Sequence, residues 1–410
     1  MSAVLPSHTL PSQTRSVASL ATLYIARMLG LFMVLPVLSL AGDDYSGSTV
    51  FLLGVALGIY GLTQACLQIP FGILSDRFGR KALIIIGLLL FAAGSLVAAL
   101  SHSVEGLIIG RALQGAGAIA GVIMATVGDL TTDENRSKAM ASIGASIGIA
   151  FALSLVIGPL LTAVGGIRWI FWLTLILAIV GIFIVIFAIP SIPADKVKHS
   201  LSVDGLKSVA SDAALWRLNI GIFVLHAVLM SLFVALPLLL TSVNIPQTQH
   251  AWVYLSVMGI AFVLMVPLMI IGERKQKVKS IFLSILLLAA LSLLVLPFVS
   301  TSAPWVLLAV LLFFVAFNYL EATLPSLMSK TVPAAQRGAG SGLFSTCQFL
   351  GAAVGGILGA WLYSQFGLTY MLLACVSLLL LWWLSALAMV IPQPPFVKTA
   401  EGSLETDVVA

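Results

Sequence analysis

The chain has 410 residues, enough for two or three soluble domains, yet it is 60% hydrophobic and only 9% charged, where soluble proteins carry about a quarter charged residues. That composition excludes a water-soluble fold. Twenty Lys and Arg against fifteen Asp and Glu leave a net charge of +5, too sparse to cover a surface, so the placement of the charge matters more than its sum. The three cysteines, Cys66, Cys347 and Cys375, sit in apolar runs without metal-ligand spacing. They read as packing residues, and no disulfide framework, metal site or cofactor is expected.

A helix needs about 20 apolar residues to cross a ~30 Å hydrocarbon core. Twelve such stretches follow one another, at about 16 to 40, 50 to 74, 82 to 100, 105 to 129, 138 to 163, 168 to 190, 217 to 241, 250 to 271, 280 to 299, 303 to 328, 339 to 363 and 369 to 391. The expected fold class is therefore an all-α membrane protein with twelve transmembrane helices. Residues 1–190 are expected to form an N-terminal six-helix bundle, 191–216 a cytoplasmic linker, 217–391 a C-terminal six-helix bundle and 392–410 a cytoplasmic tail. Met1 to Arg15 is polar and the first apolar run contains Arg27, so that run reads as a retained span rather than a cleaved signal.

If the N-terminus is cytoplasmic, the inner loops and tails receive seventeen of the twenty basic residues. Arg168 alone falls outside, while Arg27 and Arg111 lie within spans. This asymmetry is what the positive-inside rule asks of an even number of spans with both ends inside. The basic balance is thus a topology signal, and nucleic acid drops out as a partner; the bilayer and a small-molecule substrate remain.

A repeat of half the chain is visible. Leu35-Pro36 closes span one as Leu236-Pro237 closes span seven, 201 positions on. Ser75-Asp76-Arg77 after span two returns as Gly272-Glu273-Arg274 after span eight, and Asn135-Arg136 before span five returns as Gln336-Arg337 before span eleven. Landmarks in register at equivalent boundaries argue for two parallel six-span repeats.

An ionisable side chain at mid-span costs at least about 2.5 to 3.5 kcal/mol, so each needs a cavity, a partner or a function. Four lie deep: Arg27 in span one, Arg111 in span four, His226 in span seven and Glu321 in span ten. Each falls in the first helix of a three-helix group, which places them along a common central path; the competing reading satisfies each in a separate structural pair. Glu321 is nine residues before Lys330 and His226 nine after Arg217, so at about 1.5 Å per residue both sit ~13 to 14 Å from the inner face, where they can meet. Arg27 is at similar depth in the other half, Arg111 nearer the outer end. Asn318, one turn from Glu321, adds a polar group to that wall.

Between spans two and three the chain reads Gly72-Ile-Leu-Ser-Asp76-Arg77-Phe-Gly79-Arg80-Lys81. Gly72 allows close helix approach, Gly79 a tight turn, and Arg80 stands one turn from Asp76. This run resembles the loop signature of the major facilitator superfamily at every strongly specified position. The resemblance implies that Asp76 faces the start of span eleven, near Gly338 to Ser341, and joins a charge cluster with Asp129 that holds one closed conformation. Span four, Arg111-Ala-Leu-Gln114-Gly115-Ala-Gly117, is similar to a signature of proton-coupled members. Gly144, Gly148 and Gly158-Pro159 in span five resemble that of drug antiporters, with Pro159 expected to kink the helix; Leu160 to Ala163 departs from the closing glycine pair. The strings Arg27 to Pro36, Gly58 to Gln64, His226 to Pro237 and Phe313 to Glu321 look like the YajR type of bacterial transporter. Members of that type often carry a ferredoxin-like domain after span twelve, which the nineteen residues after Ile391 are too few to encode.

The resemblance implies an inner-membrane exporter of small amphiphilic or drug-like compounds, driven by protons through alternating access and acting as a monomer. Burial disfavours the charged form of a carboxyl, so Glu321 is the expected proton carrier and His226 its partner. The alternative is an importer or facilitator of a small polar or anionic metabolite, which Arg27 in the cavity would favour. No H-E-x-x-H, paired intramembrane aspartates or Ser-His dyad is present, so no catalytic residues are assigned and an enzyme is not expected.

Overall fold

The computed structural model describes residues 13–131, 133–191, 203–333 and 336–390. Thirteen helices account for nearly all of them: α1 Gln13–Phe32, α2 Val50–Phe78, α3 Arg80–Leu100, α4 Val104–Ala116, α5 Ala120–Leu130, α6 Asp133–Gly165, α7 Arg168–Ala188, α8 Val203–Ser211, α9 Ala213–Ser242, α10 Gln247–Arg274, α11 Val278–Val299, α12 Ala303–Thr331 and α13 Arg337–Leu387. Among the described residues the one strand-like contact is the bridge between Ser46 and Ser103, which ties two turns together.

Ten segments are long and apolar enough to cross a membrane. The longest lies within α13 and turns at Gly367, whose φ of 82° breaks the helix into two spans. The more polar α1, packed against α6 and α7, is the twelfth crossing. The molecule is inverted relative to a soluble protein: Phe187, Phe298 and Leu381 point outward, whereas Arg27, Gln64, Arg111, Gln114 and Asn219 are buried. A continuous apolar exterior of this kind is stable only against hydrocarbon.

Two spans depart from the sequence reading. Span one is helical only to Phe32; Met33 to Val37 turn, and a short 3-10 segment follows at Leu38–Leu40. Pro36 has no N–H to give and its ring disfavours helix at Leu35, which accounts for the early stop. Its repeat counterpart Pro237 instead lies inside α9, so the two prolines are not structurally equivalent. Span four is not one helix but two, α4 and α5, with Gly117 to Ile119 between them. The backbone there passes so close to Gly87 of α3 that a side chain at Gly117 would overlap the Gly87 carbonyl.

The repeat is nonetheless written into the backbone. Positive φ occurs at Gly79 and Gln276, 197 positions apart, and at Gly166 and Gly367, 201 apart. Lys81 Nζ donates to the carbonyls of Ile186 (2.8 Å) and Ile189 (3.0 Å), capping α7. Lys279 Nζ, 198 positions later, does the same to Leu387 (2.9 Å) at the end of α13. Cations at helix C-termini satisfy orphan carbonyls and oppose the dipole.

Helix contacts inside a membrane gain little from the hydrophobic effect and depend on close packing. At the α3–α4 crossing, a Cβ on Gly94 would stand 2.5 Å from both Gln114 N and Gly110 O, and one on Gly110 would stand 2.7 Å from Ala98 N. Gly94→Val should therefore force the two helices apart and destabilise the protein by about 1 to 3 kcal/mol. Thermal unfolding of the purified protein in detergent checks this; an unchanged melting temperature would show that the crossing is not tightly determined.

Candidate functional site

Between the helices lies a narrow cavity of ≈ 20 Å³. Tyr24, Met28, Leu31 and Phe32 of α1 and Ile147 of α6 line one wall, and His226, Leu229 and Met230 of α9 with Gln348, Phe349 and Ala352 of α13 line the other. The lining is largely apolar, with Tyr24 on one wall and a polar patch made by His226, Gln348 and the nearby Glu321 on the other, the mixture of apolar wall and few polar groups common in small-molecule sites.

His226 and Glu321 meet. His226 Nε2 is 3.8 Å from Glu321 Oε2, with 7% and 21% of the two side chains exposed. His226 Nδ1 lies 3.2 Å from the Ile222 carbonyl, which can only accept, so Nδ1 carries the proton. Gln348 Nε2 then donates to His226 Nε2 (2.9 Å) and to Glu321 Oε1 (3.3 Å). Glu321 Oε2 and Asn318 Nδ2 are buried without a hydrogen-bond partner among the described residues. Sequence reasoning missed Gln348; the one signal available was an amide in the apolar run of span eleven.

Arg27 is not part of this cluster. Its guanidinium points into the N-terminal helices and donates to the Gly117 carbonyl, a contact shorter than an ordinary hydrogen bond, and to Gln64 Oε1 at 2.5 Å. Phe91 covers it at 5.8 Å. The break after α4 leaves the Gly117 carbonyl outside the helical ladder, where it accepts from Ile119 N (2.8 Å) and also from Arg27. Arg111 is fully buried elsewhere in the same half: Nε donates to Ala56 O (3.2 Å), Nη1 to Gln114 Oε1 (2.9 Å), and the Tyr60 ring lies 4.7 Å away. Gln114 continues to Ser95 Oγ (2.8 Å), which Thr174 also reaches (3.1 Å). The span-four pattern is thus a hydrogen-bonded web joining α2, α3, α4 and α7, and an anion-binding role for Arg27 in the cavity loses its support.

At the end carrying the basic loops, the α2–α3 turn forms the charge cluster that the motif implied. Gly79, at φ 93°, makes the turn. Arg80 is paired with Asp76 at a contact shorter than usual, bonds Asp129 Oδ2 at 3.0 Å and reaches Ser75 Oγ at 2.5 Å. Arg77 is exposed and lies over the Phe78 ring at 5.5 Å, and Gly72 is buried on α2. Asp76 bonds no residue of the Gly338 to Ser341 stretch, so this contact with span eleven is not made in this conformation. In α6, Gly148 faces open space, Gly158 packs against the Met33 backbone, and the helix runs through Pro159 to Gly165.

The opposite end is shut. Phe151 of α6 is ringed by Phe32 (5.1 Å), Phe317 (5.6 Å), Phe233 (6.2 Å) and Phe314 (6.4 Å), so aromatic side chains from both halves close over the cavity. Beside them α2 and α13 touch backbone to backbone: a Cβ on Gly58 would be 2.6 Å from Ala353 O. Phe151→Ala should open this end. A Met230→Cys reporter in the cavity, with Cys66, Cys347 and Cys375 replaced, should then react with a membrane-impermeant thiol reagent from that side about tenfold faster or more, given the 3 to 5 kcal/mol at stake in such a truncation. Equal labelling rates would place the seal elsewhere.

Comparison with known proteins places this architecture. The family model described as Major Facilitator Superfamily matches residues 20–356. The chain is similar to "Inner membrane transport protein YajR" of Escherichia coli (strain K12), 45% identical over 402 residues, 98% of this chain and 88% of that protein. It is 28% identical to "Multidrug resistance protein MdtH" of Aeromonas hydrophila over 81% of this chain and 82% of that one. In fold it resembles the human organic anion transporter MFSD10 (TETRAN), at a TM-score of 0.69 and 19% identity over 92% of this chain and 100% of that one. The superfamily is made of membrane carriers and not of enzymes. With its loop motif, twelve spans and family match in hand, the chain belongs to the major facilitator superfamily and is a membrane transporter.

Proposed function

We propose that this transporter is a proton-coupled exporter of small amphiphilic or drug-like compounds, working by alternating access in the bacterial inner membrane with its basic end and both termini in the cytoplasm. The observation that carries the reading is the His226–Gln348–Glu321 cluster at the wall of a largely apolar cavity. A carboxyl in such a place can bind either a proton or a cation but gains little from holding both, so a proton arriving from the far side displaces a cationic compound. The relatives' names, an inner-membrane transport protein and a multidrug resistance protein, support the location and the substrate class. The conformation also fits: the far end is sealed by aromatic rings while Asp76 is disengaged from span eleven, as an inward-facing state requires.

Each six-span half, about 1–190 and 217–391, acts as a unit in this scheme, and one chain suffices. Glu321 is the main proton carrier, His226 the second titrating group and Asn318 part of the same wall. Arg27 and Arg111 support the N-terminal half of the pathway, and Gly72, Asp76, Arg77, Gly79, Arg80 and Asp129 form the inner gate. Gly148, Gly158 and Pro159 shape α6 beside the cavity. The importer reading drew on Arg27 facing the cavity and on the incomplete span-five signature; the first ground is weakened because the guanidinium is engaged by Gly117 and Gln64, and the second stands.

Reconstituted Glu321→Gln protein should bind a lipophilic cation such as tetraphenylphosphonium yet lose transport driven by a pH gradient by about two orders of magnitude, in the range of losing an essential proton-transfer group. Gradient-driven transport at the wild-type rate would overturn the assignment.

A further inference from the structure

Gln348 sits where three helices meet. Its amide nitrogen has two hydrogens, and both are spent: one on His226 Nε2 of α9, the other on Glu321 Oε1 of α12. These two bonds are polar ties from α13 to α9 and α12 at cavity depth. Around the group, the titratable neighbours are Tyr24 from α1, within electrostatic reach of Glu321, and His226 and Glu321 themselves, with Cys347 beside it on α13. The wall from α6 contributes Ile147, and Arg27 is committed to Gly117 and Gln64.

The bonds to Gln348 and a proton compete for the same lone pairs. His226 already carries hydrogen on Nδ1, so a proton can bind only at Nε2, where the amide now donates. Once bound there, that N–H faces an amide N–H; unless the Gln348 amide turns over to accept with its oxygen, which takes its N–H away from Glu321, the new N–H must turn to another acceptor. The nearest is Glu321 Oε2, 3.8 Å away and unpartnered. A proton landing on Glu321 instead removes the negative charge that strengthens its bond from Gln348. By either route the proton loosens α13 from α9 or α12. From this geometry we infer that Gln348 is a positioning residue that couples protonation of the His226–Glu321 pair to movement of α13: the deprotonated pair holds span eleven, and the protonated pair releases it. The inference rests on the proton-coupled reading above and adds the part through which the proton acts on the fold.

The test reads conformation without substrate. Spin labels at Ala82→Cys and Ser341→Cys, exposed positions at the basic ends of α3 and α13, report the separation of the two halves there in protein lacking the native cysteines. In lipid nanodiscs the wild-type distance distribution should change between pH 5 and pH 9. Gln348→Met, similar in length but unable to donate, should abolish that response. A bond to a charged group biases such an equilibrium about tenfold, enough to move the dominant population. Gln348→Asn, which keeps an amide on a shorter arm, should restore part of the response; a merely space-filling role would not distinguish Asn from Met in that order. If wild type responds to pH, Glu321→Gln does not, and Gln348→Met responds like wild type, the coupling role is overturned while the proton-carrier reading stands. A wild-type distance that ignores pH, with Glu321→Gln transporting normally, overturns both.

Discussion

A hydrocarbon interior offers no hydrogen-bond partner, and this one constraint arranges most of the molecule. Every polar group that enters the membrane must find its partner in the protein, at a cost of several kcal/mol if it does not. The chain uses the constraint in opposite ways in its two halves. In the N-terminal half a helix is broken at Gly117, whose carbonyl accepts from both Ile119 N and Arg27, while Arg111 takes Ala56 O and Gln114. Each guanidinium meets a carbonyl, a side-chain amide and an aromatic ring. Most of their hydrogen-bonding capacity is met in place, although Arg27 Nε and Arg111 Nη2 are buried without a partner among the described residues, and moving either guanidinium would strand more of it.

The two closures between the halves differ in kind. Along α2 and α13, small residues bring backbones into contact, so the fit depends on shape alone. Around Phe151, large rings from α1, α6, α9 and α12 interlock. Neither uses a charge, so both can separate without stranding an ion in lipid. At the basic end the opposite holds: Arg80, Asp76 and Asp129 form a buried ionic cluster beside the α2–α3 turn. Apolar contacts seal the end away from the basic loops, and ionic contacts lie at the basic one.

What the sequence showed and what it hid follow from the same distinction. The spans, the loop cluster and the meeting of His226 with Glu321 were legible because hydropathy, charge and helical rise are one-dimensional quantities. The direction in which Arg27 points was not, because it depends on a break in another helix, 90 residues on. The break itself was hidden, since Gly115-Ala-Gly117 reads equally as close packing or as a stop. Pro36 and Pro237 share a sequence context and differ in structure, one ending its helix and one lying within it. Gln348 escaped notice because an uncharged amide barely perturbs hydropathy, although it can donate to two partners at once.

The two halves therefore descend from one pattern but carry unequal duties. The N-terminal cations are fixed by backbone carbonyls, which cannot titrate and whose partners lie within the same half. The C-terminal groups are held by a side-chain amide, and they retain a free carboxylate oxygen at Glu321 and a free amide nitrogen at Asn318. An unpartnered buried polar atom costs stability. Such atoms occur in both halves, Arg27 Nε and Arg111 Nη2 among them, but only those of Glu321 and Asn318 stand in or beside the His226–Glu321 pair. Pseudo-symmetry of the helices thus coexists with asymmetry of the chemistry: the N-terminal half buries guanidiniums bonded to carbonyl oxygens, and the C-terminal half buries an imidazole and a carboxyl bonded to one amide.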